Sequence, residues 1–74
     1  MPKLYSARVI IKTLQKDGFV IISQKGSHVK LSKKMNDRKY TVIVPYHKEI
    51  AIGTFSSILR QAGKTKREFE ELVK

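Results

Sequence analysis

His28 is the side chain of this sequence best suited to moving protons. It follows the turn-forming pair Gly26-Ser27 and stands two positions before Lys30. On a strand, that spacing puts the imidazole and the ammonium on one face. An imidazole gives and takes protons near neutral pH without special tuning, and a neighbouring ammonium can stabilise negative charge building on a reacting phosphate. Most other chemistries lose their footing. His47 and His28 have no supporting cysteine or carboxylate cluster, so they do not make a zinc set. Asp17, Asp37 and Glu49 are scattered, which gives a two-carboxylate hydrolase or a Mg²⁺ cluster little support. Ser27 has a histidine beside it but no orienting acid for a serine-hydrolase triad. Gly26 and Gly53 are isolated, without the spacing of a phosphate-cradling loop. The absence of cysteine removes disulfides, thiolate metal sites and a cysteine nucleophile.

Charge narrows the partner. The 74 residues carry 16 Lys+Arg against 6 Asp+Glu, a formal net charge of +10. The excess is uneven, with 11 basic and 2 acidic side chains falling in residues 1–48. A polyanion, nucleic acid first, is the expected partner for such a footprint. No apolar run approaches the ~20 residues of a membrane span, and the first residues do not lead into a signal-peptide core. The expectation is one small cytoplasmic domain over residues 1–74, since a chain of this length buries only roughly 60% of its unfolded surface.

The elements that must position His28 can be read from local signals. Ser6 is a good N-cap for a first helix carrying Ala7, Ile10, Ile11 and Leu14 at helical spacing, and Gly18 is placed to stop it. Arg8, Lys12 and Lys16 recur every four residues, giving that helix a cationic stripe. Three strands are expected next, over 19–24, 28–33 and 40–44, with 34–39 as a polar, basic loop and Pro45 closing the third. Short turns make the sheet an antiparallel meander. Phe19, Ile21, Val29, Leu31, Val42 and Val44 are expected on its core side. Val20, Ile22 and Ile43 are expected on the outer side, with His28 and Lys30. Thr54 is read as the cap of a second helix ending at Gly63, and Thr65 with Glu68 has capping-box spacing for a short last helix. The fold class is therefore α+β, in the order αβββα plus a short C-terminal helix.

Several segments together resemble the HicA toxin family. They are Gly18-Phe19, Gln24-Lys25-Gly26-Ser27-His28, Val44-Pro45-Tyr46-His47, Gly53-Thr54 and Ile58-Leu59-Arg60-Gln61-Ala62-Gly63, with Thr65-Lys66-Arg67-Glu68-Phe69 closing the match. These are small mRNA-cleaving toxins of type II toxin–antitoxin pairs. The resemblance implies a double-stranded-RNA-binding-like fold, mRNA as substrate, cleavage with no metal or other cofactor, and silencing by a HicB-type antitoxin. It also places the catalytic histidine at His28. Val29 and Lys30 follow that histidine, where many members carry further polar or histidine residues.

On this reading His28 transfers protons and Lys30 stabilises transition-state charge. Lys25, Gly26, Ser27, Lys30, Lys33, Lys34, Arg38 and Lys39 hold the RNA backbone. Tyr46 either stacks a base or half-buries itself at the strand end. Two other classes remain open on the residues alone: a non-catalytic RNA-binding module using the same face, and a basic partner for an acidic protein.

Overall fold

The computed structural model describes residues 4–74. Its elements run α1 (Ala7–Lys16), β1 (Val20–Lys25), β2 (His28–Met35), β3 (Arg38–Pro45), α2 (Ile52–Ala62) and α3 (Lys66–Val73). The strands form one antiparallel sheet in the order β1-β2-β3. The α+β order αβββα with a short final helix is thus the observed one. No helix among the described residues is long and apolar enough to cross a membrane.

Local chemistry sets the helix ends. The Ser6 hydroxyl accepts the Val9 N–H at 3.1 Å, satisfying one orphan donor of α1's first turn. At the other end Gly18 N–H donates to Gln15 O and Phe19 N–H to Leu14 O, both at 3.0 Å, which closes the helix and turns Phe19 into the core. Gly63 does the same for α2 with φ +68, and a Cβ there would come within 2.8 Å of the Tyr40 ring. Both backbone and space therefore require glycine. Thr65 and Glu68 make the expected capping box, with Thr65 N–H donating to Glu68 Oε1 at 2.8 Å and Glu68 N–H to Thr65 Oγ1 at 3.1 Å. Those two partners, the backbone N–H first and the hydroxyl second, hold the Glu68 carboxyl below its ordinary pKa.

Three details differ from the sequence reading. The helix α2 starts at Ile52, not at a Thr54 cap, and its N-cap Ala51 makes no side-chain bond. Its entry is fixed instead by buried Ile50, whose N–H donates to Tyr5 O at 2.8 Å. The expected loop over 34–39 is only the turn Asn36-Asp37, because β2 and β3 run on to Met35 and Arg38. Asn36 takes φ +57, a conformation asparagine tolerates better than most residues. Ile21, expected in the core, is 44% exposed. Ile21 still pairs with Leu31 on the core-side parity, but on the edge strand it faces the open groove beside α1; the register slips after it, leaving Ile22 as an extra, unpaired residue before Ser23.

One cluster of buried side chains joins the helices to the inner sheet face. Val29, Leu31, Val42 and Val44 meet Ile10, Leu14 and Phe19 from the α1 side and Ile58, Leu59 and Phe69 from α2 and α3. Phe69 packs edge to face against Tyr5 and Phe55, which are tilted to each other, with ring centroids 5.0–5.3 Å apart. The β3 edge is also occupied, since Ile43 N–H donates to Gln61 Oε1 at 2.9 Å.

A charged clamp ties three segments together. Asp17 Oδ2 accepts from Lys33 Nζ at 2.9 Å and from Lys64 Nζ at 2.8 Å, and all three side chains are mostly buried. Burial alone would raise the Asp17 pKa, but the hydrogen bonds from Lys64 and Lys33, and then their charges, outweigh it and hold the carboxyl below 3.8. A depressed carboxylate pKa adds stability that is complete above the unfolded-state value and disappears as the pH falls through the lower folded value. Asp17→Asn is therefore expected to lower unfolding free energy at neutral pH by about 1–3 kcal/mol. Urea titrations of both chains across pH 2–7 should show that gap closing below about pH 4. A gap independent of pH would mean the loss is packing rather than charge.

Candidate functional site

The turn before His28 is a two-residue hairpin loop. Gly26 sits at φ +59 and a Cβ there would meet nothing within 4 Å, so the glycine serves the turn's backbone and also leaves its tip open. The tip is anchored from the far side of the sheet, where Tyr46 N–H donates to Ser27 O at 2.6 Å. The segment after β3 is held in turn by Ala7 N–H donating to His47 O at 3.0 Å. His28 therefore stands on a braced corner, not on a free loop.

Register decides what faces what. Lys25, His28 and Pro45 form one row across the sheet, and Ser23, Lys30 and Ile43 the next. Val20, Ser32 and Thr41 follow, and then the pair Lys34 and Lys39. These rows alternate with Val29, Leu31, Val42 and Val44, which are buried under the helices, so they lie on the outer face. His28 is exposed, and its ring makes no hydrogen bond to another described residue. Both ring nitrogens are consequently available to a ligand, and no partner among the described residues fixes the tautomer.

The outer face gathers Lys25, His28, Lys30, Lys34 and Lys39. Lys34 and Lys39 are directly opposite each other. Like charges in that position cost stability in an unliganded sheet, and an anion shared between them removes the cost. Gly26 and Ser27 form the tip at the other end of β2, beside Lys25 and His28. Arg38 is exposed at the hairpin end, but its register puts it on the opposite face from Lys39. Lys33 is placed differently from the sequence expectation of an RNA contact. It lies on the core-side parity, its ammonium held by Asp17 and 5.8 Å from the Phe19 ring centroid. Nothing local in the sequence shows this, since Asp17 is 16 positions away.

Tyr46 is 50% exposed and faces the helix side of the sheet, not the outer face. There it lines an open groove between α1 and β1 with Arg8 and Lys12. The four-residue recurrence on α1 was the only sequence signal for that second basic surface. Among the described residues no group of three or more His, Cys, Asp or Glu side chains could hold a metal ion.

A family model described as the HicA toxin of bacterial toxin–antitoxin systems matches residues 7–64. That span runs from the first residue of α1 through all three strands to the residue after Gly63. No curated protein is similar enough to match.

Proposed function

The chain belongs to the HicA toxin family of bacterial toxin–antitoxin systems, and from that premise we propose that it is an mRNA endoribonuclease that uses His28 and is held inactive by a HicB-type antitoxin. The observation that carries the reading is the outer sheet face, where one exposed imidazole has Lys25 opposite it and Lys30 in the next row, with Lys34 and Lys39 further along the same face. The +10 charge draws RNA to it.

The chemistry needs only groups of the RNA and of this face. A base removes the proton of a 2′-OH, and the freed oxygen attacks the adjacent phosphorus. The bond from phosphorus to the 5′ oxygen breaks, and an acid protonates that leaving oxygen. His28 takes the proton-transfer role. Lys30, in the neighbouring row of the same face, offsets the extra negative charge of the five-coordinate transition state. The products are a 2′,3′-cyclic phosphate and a 5′-hydroxyl, so atoms and protons balance without an added cofactor.

The testing experiment incubates the purified chain with end-labelled mRNA in excess EDTA. Cleavage should continue and leave a 2′,3′-cyclic phosphate. The same RNA with hydrogen in place of its 2′-OH groups should stay intact, and cutting of that substrate rules out attack by the 2′ oxygen.

A further inference from the structure

The groove on the other side of the hairpin is not used by this chemistry. It lies between α1 and the edge strand β1 and encloses about 280 Å³. Its floor is apolar, made by buried Ile11 and Val29. Its walls are the exposed side chains of Arg8, Lys12, Gln15, Gln24 and Tyr46. The third member of the α1 stripe, Lys16, is occupied, with its ammonium donating to Leu72 O at 3.2 Å. Arg8 and Lys12 are thus the cations this groove offers.

We infer that the α1–β1 groove is a base-reading subsite that holds one unpaired nucleotide of the RNA strand next to the bond cut at His28. This rests on the proposed ribonuclease reading and adds where the strand runs. An apolar floor beside a half-exposed tyrosine ring suits a nucleobase, which stacks on aromatic faces whatever its identity. Gln15 and Gln24 each offer an amide donor and an acceptor, the groups that tell one base edge from another. Arg8 and Lys12 match the phosphates on either side. The position is right as well. Val29 follows His28 directly, and Tyr46 is bonded through its N–H to Ser27. The groove and the imidazole therefore flank the same two-residue turn, and Gly26 has no side chain to obstruct a strand crossing it.

Two measurements test the subsite. Cut sites are sequenced from a single-stranded RNA pool of random sequence treated with the parent, Gln15→Ala and Gln24→Ala. The parent should prefer certain bases at one position flanking the cut, and each variant should relax that preference by roughly fivefold or more. Separately, an uncleavable 2′-deoxy-substituted octamer is titrated at several salt concentrations against the parent and the double variant Arg8→Gln with Lys12→Gln. Loss of two phosphate contacts should flatten the slope of log K against log salt by about 1.4. All the substituted side chains are exposed, and matching thermal unfolding curves will show that the variants fold. Cleavage with no base preference, or profiles and slopes that do not move, overturns the subsite and leaves the ribonuclease standing. A parent that neither cuts nor binds RNA overturns both.

Discussion

His28→Ala should lower the rate of RNA cleavage by about a hundredfold or more while leaving RNA affinity and unfolding temperature nearly unchanged. The size follows from removing the one positioned proton-transfer group on the outer face, since general acid–base catalysis contributes typically ~10²–10⁴-fold. On the proposed reading the remaining activity would come from Lys30 and its neighbours, left to bind the backbone and stabilise charge. Stability should hold because the imidazole is exposed and has no hydrogen-bonded partner among the described residues, and surface changes of that kind fall within about 0.5 kcal/mol. Affinity should hold because, on the proposed reading, the phosphates are held by lysine and arginine side chains and not by His28. Single-turnover cleavage and filter binding, run on both forms of the chain, separate the possibilities. Lost cleavage with kept binding identifies an enzyme. Binding without cleavage by either form identifies a non-catalytic RNA module. Binding by neither leaves a basic protein whose charge serves an acidic partner. Undiminished cleavage by His28→Ala moves the chemistry to another residue.

The parts of this architecture legible in the sequence are those decided within a few residues. Ser6, Gly18, Gly63 and the Thr65–Glu68 pair mark helix ends through side-chain caps and backbone bonds that span three to five positions. The clean alternation from His28 to Ser32 likewise gives the inner and outer faces of β2, and with them the shared face of His28 and Lys30. What was not legible depends on distant partners or on a missing phase. Val20-Ile21-Ile22 is a run of three β-branched residues with no alternation, so nothing in it announces the bulge at Ile22 or the open groove that leaves Ile21 exposed on the core side. The basic stretch 34–39 reads as a loop because it is polar. An exposed hairpin end has little core to fill, however, and Asn36 lets the chain reverse in two residues. Lys33 looks like any other member of that cationic run until the fold brings Asp17 and Lys64 to it.

Changing Val20 and Ile43 together to threonine should weaken binding of the antitoxin by roughly tenfold to a hundredfold and leave RNA cleavage intact. Both residues lie on the outer face, Val20 opposite Ser32 and Ile43 opposite Lys30. They are 58% and 45% exposed, and Ile22 at the bulge is 47% exposed. Three aliphatic side chains beside a cluster of lysines have little to offer an RNA backbone, yet they provide the apolar centre that a protein interface needs. The lysines around them would then form a charged rim, which draws in an acidic partner at a rate sensitive to salt. A protein seated there covers His28 and Lys30 at the same time, so docking and inhibition become one event. Threonine keeps the branched Cβ that suits a strand while removing apolar surface, and the Ile43 N–H bond to Gln61 does not involve the replaced side chain. Calorimetric titration of the antitoxin into the parent and the double variant measures the first effect, and cleavage of labelled RNA in parallel measures the second. Unaltered antitoxin affinity, with cleavage still inhibited on adding it, would place the docking site off this face and require inhibition by a route other than covering His28.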